Sequence, residues 1–171
     1  MSGRLGRVGG RMNASSAARF ALWRALGLFL AAYVLVTVLA AGVTVAYGEL
    51  TGAPQANELG VGLLEAPAFT ATVPYHVLIM LVVWPLFAGL YFWGRRSGPE
   101  EERRETAPLS FLWLAAALIA DFVGFVHIKH PWSLTPQEFY VDYQPWISLI
   151  YVAIFVSPWI RLGLVRTLSR S

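Results

Sequence analysis

The sequence predicts an all-α integral membrane protein, an antiparallel bundle of four transmembrane helices with two structured extracytoplasmic segments. Three observations carry this. The 171 residues hold four long apolar stretches in a composition that is 57% hydrophobic and only 13% charged, against roughly 25% charged in soluble domains. All twelve arginines lie before the first stretch, between the second and third, or at the end of the fourth. The other two connections hold the one lysine, all three histidines and five carboxylates. Cationic loops stay on the cytoplasmic side, so both termini are expected in the cytoplasm and the four spans in the plasma membrane.

The elements follow in order. Residues 1–18 are rich in Gly, Ser and Arg and read as a cytoplasmic basic tail, with Arg4, Arg7 and Arg11 near anionic headgroups. Residues 19–171 form the transmembrane domain. The first span is expected over 20–47. Its apolar core, Leu26 to Ala46, is 21 residues long. That covers about 30 Å of hydrocarbon and exceeds the apolar core of a secretory signal, so it reads as a retained span. Gly48, Gly52, Pro54, Gly60 and Gly62 then break regular structure through an outer segment. The second span, 74–94, starts at Pro74, a favourable first-turn residue, and carries Pro85 inside. It ends at Arg95 and Arg96. The loop to Ala107 mixes four arginines with Glu100, Glu101, Glu102 and Glu105 and reads as a solvated connection. The third span, 108–129, is stopped by Pro131. A second outer segment follows, and the fourth span, 145–165, starts at Pro145 and contains Pro158.

Composition excludes several chemistries. Without cysteine there are no disulfides, thiolate metal sites or thiol redox relays. The pI near 9.5 reflects arginines placed for membrane orientation, so no nucleic-acid partner is expected. No histidines face each other within the spans, as haem-b bundles require, and one H-x-x-H is too few for a membrane desaturase. The run Glu100–Glu105 superficially resembles the E-E-x-x-x-R of membrane CAAX-type proteases, but the spacing fails and the histidines fall on the other side.

The third span holds the most informative residues. Ala116, Ala120 and Gly124 recur every four positions, a small-residue stripe that lets helices approach closely. Beside it, Asp121 is about 20 Å from Pro108 by the helix rise, deep in the membrane, where a carboxylate suggests function. At that depth the expected neighbours are Leu39, Val82 and Ala153, with Thr37, Ser148 and Tyr151 the nearest polar groups. Asp121 is open to three roles: a neutral hydrogen-bonding group between helices, a partner for a cation on another subunit, or a proton- or ion-binding site. His127 and His130, three apart and so on one helical face, together with His76, offer a copper or zinc site; no other cofactor is expected. In the second outer segment Trp132, Tyr140, Tyr143 and Trp146 are candidate contacts for a partner or lipid.

With no complete catalytic constellation, the expectation is a non-catalytic accessory or assembly subunit of a larger membrane complex, whose partners are lipids and other subunits or further copies of itself. The alternatives are a small oligomeric transporter or ion-conducting protein using Asp121, and an outer-face metal-binding protein or metalloenzyme.

Overall fold

A computed structural model describes residues 14–95, 98–130 and 133–168. The tail arginines Arg4, Arg7 and Arg11, together with Arg96, Pro131, Trp132 and Arg170, lie outside the described residues. The described chain is helical throughout: α1 (Ala14–Thr51), α2 (Ala56–Leu59), a short 3-10 turn (Leu63–Glu65), α3 (Pro67–Phe92), α4 (Pro99–Asp121), π turns at Phe122–His127 and Glu138–Asp142, and α5 (Trp146–Leu168). Four stretches, Ala18–Thr51, Pro67–Phe92, Pro99–His127 and Trp146–Leu168, are long and apolar enough to cross a membrane.

α1 has no proline and buries one stripe, Ala25, Phe29, Ala32 and Val36, at spacings of three and four. It stops at Gly52, whose φ of 74° only glycine adopts without strain. Gly48, a turn earlier, sits where the chain folds back. A Cβ there would run into the Gln55 side chain and come within 3.0 Å of the Ala53 carbonyl.

Three helices begin earlier than the sequence predicts: α1 starts at Ala14, within the expected tail and before the expected residue 20, and the other two do so for related reasons. α3 starts at Pro67, after Ala66 in an extended conformation, so Pro67 takes the first-turn role expected of Pro74. Pro74 and Pro85 both lie inside the helix, each removing one internal bond without ending it, as membrane helices tolerate. α4 starts at Pro99 instead of Pro108. Glu100, Glu101 and Glu102 fall in its first turn, where negative charge complements the helix dipole, so most of the expected solvated connection is helix. In α5, Pro158 leaves the Ile154 carbonyl without its usual amide donor, and the Ser157 hydroxyl donates to that oxygen instead, at 2.8 Å.

Paired residues give the helix directions. Arg24 reaches the Leu90 and Trp93 carbonyls at 2.8 and 2.6 Å, while Thr44 meets Thr72 at the other end, so α1 and α3 run oppositely. Glu102 meets Arg161 and Phe111 meets Phe155, so α4 and α5 do too. The core is aromatic: Trp84 packs between Phe29 and Trp113, each ring pair 5.4 Å apart. Trp113 also donates its indole N–H to the Ala25 carbonyl at 3.0 Å.

The two ends of the molecule differ in chemistry. At the arginine end, Arg95 pairs with Glu105 and lies 5.2 Å over the Tyr91 ring. Arg161 pairs with Glu102 and lies 4.6 Å over Phe92, joining α3, α4 and α5 at one point. At the other end, the cap end, segments 52–66 and 133–145 fold over the helices around a small cluster of Val126, Leu134, Phe139 and Ile147.

Candidate functional site: a carboxylate in an aromatic cavity

The buried face of α4 runs through Trp113, Ala117 and Asp121, one helical turn apart. Asp121 therefore points inward, and it is 6% exposed. Its partner is Tyr33 of α1, whose hydroxyl donates to Oδ1 at 2.5 Å. The Tyr151 hydroxyl of α5 stands beside the same carboxyl but is buried without a hydrogen bond of good geometry among the described residues.

Asp121 and Tyr33 lie on the wall of a cavity of about 290 Å³. α1 contributes Val36, Thr37, Ala40 and Thr44; α3 contributes Phe69, His76, Met80 and Trp84; α5 contributes Ile147, Ile150 and Ile154. Both cap segments line it, the first through Gln55, Leu63 and Leu64, the second through Leu134, Phe139 and Tyr143. Tyr33 and Thr44 are eleven residues apart on one helix, so the polar groups extend over about 16 Å.

The cap segments are held by identifiable bonds. Gln55 donates from its side chain to the Thr44 carbonyl at 3.2 Å. The Leu134 amide donates to the Phe125 carbonyl at 2.8 Å. Thr135 and Glu138 form a reciprocal capping pair: the Thr135 amide donates to the Glu138 carboxylate at 2.6 Å, and the Glu138 amide donates to the Thr135 hydroxyl at 3.2 Å. Those bonds to Thr135 hold the Glu138 carboxyl below its ordinary range. Burial, then the nearby Asp121 carboxylate, pushes the Tyr140 and Tyr143 phenols up.

The three histidines have separate roles. His76 is 4% exposed and its Nε2 lies 3.0 Å from the Thr44 hydroxyl. Thr44 is 2.8 Å from Thr72, and Thr72 donates to the Ala68 carbonyl. Each hydroxyl has one proton, so Thr44 donates to Thr72 and His76 Nε2–H donates to Thr44. His76 lies about two and a half turns into α3, because that helix starts at Pro67. His127 and His130 do not share a helical face as their spacing predicts. The helix ends at His127 and Ile128 is extended. His127 stacks on Phe122, and the His130 Nε2–H donates to the Gly124 carbonyl at 2.7 Å. Among the described residues, no three His, Asp or Glu side chains gather closely enough to hold a metal ion.

The small-residue stripe also changes. Ala116 and Ala120 are half-buried against the aromatic core, but Gly124 lies in the π turn, where an added Cβ would meet nothing within 4 Å. Of the aromatic candidates, Tyr143 lines the cavity and lies 5.9 Å from Phe69. Tyr140 packs against Phe139, and Trp146 is half-buried at the start of α5.

The sequence reading missed Tyr33 and the cap at Thr135. The second had a readable signal, Thr135-x-x-Glu138, the spacing of a capping box. Tyr33 had a weaker one, a phenol within an otherwise apolar span. No known protein family matches the chain, and neither does a characterised protein or a solved structure.

Proposed function

We propose that the chain is an antiparallel four-span bundle in the plasma membrane, both termini cytoplasmic by its arginine placement, that binds a small, largely apolar molecule between its helices as the binding step of transport. One observation carries this reading: Asp121 borders a cavity of about 290 Å³ rather than being enclosed in packing. Ligand sites in helical proteins are mostly apolar with a few placed polar groups, and an intramembrane carboxylate is costly unless it is used. Native mass spectrometry of the chain extracted in mild detergent should find one small molecule bound per chain. Ala40→Phe, which fills the cavity from α1, should abolish that occupancy while the chain remains folded. A native chain that is empty and takes up no added apolar probe would overturn the reading.

A second reading, an accessory subunit of a membrane complex, is favoured by Gly124. Its small face is not used for a close approach within the chain, which leaves it for a neighbouring helix. Gly124→Leu is then expected to keep the chain inserted and folded but to reduce recovery of any partner on mild extraction. Unchanged recovery would remove this reading.

A further inference from the structure

Asp121 is the one acidic side chain on the cavity wall, and among the described residues no lysine or arginine lines it. A carboxylate accepts hydrogen bonds at about four positions, and the Tyr33 hydroxyl takes one, on Oδ1. The Tyr151 hydroxyl stands beside the same carboxyl. A neutral apolar ligand would leave this carboxylate dry and unmatched, and an anion would meet it with no compensating charge.

Six aromatic side chains share the wall with aliphatic ones. Tyr33, Phe69, Trp84, Phe125, Phe139 and Tyr143 come from α1, α3, the π turn and the second cap segment. Two pairs are in contact, Phe125 stacked on Phe139 and Phe69 tilted against Tyr143, each 5.9 Å between centroids. Aromatic faces attract cations, most strongly where water is excluded. A bare metal ion is a poor match, because it needs several oxygen or nitrogen ligands at once and no such cluster is present among the described residues.

We propose that the cavity takes an organic monocation with an apolar body, such as a substituted ammonium, with Asp121 as its counter-ion and the aromatic rings as its walls. This rests on the reading of the cavity as a binding site. The probes are phenyltrimethylammonium and tert-butylbenzene, which share a shape and differ in charge. Each is titrated into the full chain in lipid nanodiscs, with protein-free nanodiscs subtracted. The cation should bind saturably, about ten-fold or more tighter than its neutral twin. Asp121→Asn should erase that preference while retaining binding of the neutral probe, and Asp121→Glu should restore it.

Equal affinity for the two probes, or a preference unchanged in Asp121→Asn, would overturn the cation assignment and leave the cavity reading standing. Failure of both probes to bind the native chain would overturn the two together. Should Asp121→Asn not fold, the ratio of the two probes on the unaltered chain decides the matter by itself.

Discussion

Trp113→Ala is expected to destabilise the protein by about 3–5 kcal/mol, the range for removing a large buried aromatic side chain. The ring is fully buried and tilted 5.4 Å from Trp84, and its N–H satisfies the Ala25 carbonyl across the α1–α4 contact. The substitution therefore opens a void and removes a second hydrogen bond to that carbonyl, which ties α4 to α1. Thermal unfolding in detergent should show the loss as a lower midpoint. Ile119→Ala is the control, since Ile119 is on the same helix but 65% exposed, and it should change stability by about 0.5 kcal/mol or less. Equal costs for the two would show that this face of α4 is not the packed one.

The second large effect concerns the arginine end. Arg161→Met keeps an apolar stem of similar length over Phe92 but leaves the Glu102 carboxylate alone. The two side chains are only 13% and 15% exposed, so the orphaned charge keeps most of its desolvation penalty. A loss of about 3 kcal/mol is expected, the lower end for breaking a buried pair, because the site is at the edge of the helices. The double substitution Arg161→Met with Glu102→Leu should recover most of that loss, since it removes both charges. A double-mutant cycle reads the coupling directly. If the double variant is as unstable as the single, the cost lies in packing over Phe92 and not in the ion pair.

The helical class and the four long apolar elements were legible in the sequence because hydropathy and length are properties of a single segment. Helix starts were less so. Proline suits a first turn but is tolerated inside a membrane helix, so Pro67 and Pro74, or Pro99 and Pro108, give the same local cue. The earlier member of each pair begins the helix. This has a direct effect on the site. Depth counted from Pro108 places Leu39 level with Asp121, whereas the residue that meets it is Tyr33, six residues away and about 9 Å along the helix. On α5 the same counting gives Ala153, two residues from Tyr151. The carboxylate stood out by residue type, but its partner depends on how far each helix slides against its neighbours, and that is set by side-chain packing between segments distant in sequence. The histidine pair failed for a local reason: three-residue spacing implies a shared face only while the helix continues, and it stops at His127.

The π turn at Phe122–His127 bears on how this chain would compare with a relative. A turn closed by a bond from Ile128 to Val123 holds one residue more than an α turn. The inward positions step by four from Ala117 to Asp121 and then by five to Val126. An alignment phased on Trp113, Ala117 and Asp121 would therefore slip by one position after the carboxylate. A homologue lacking that residue would align with a single gap there. The ring at the Phe125 position would keep its direction, because an α turn one residue shorter brings the same face round. A codon gained or lost in this stretch is thus absorbed within one turn, with the aspartate and the ring beside it both retained.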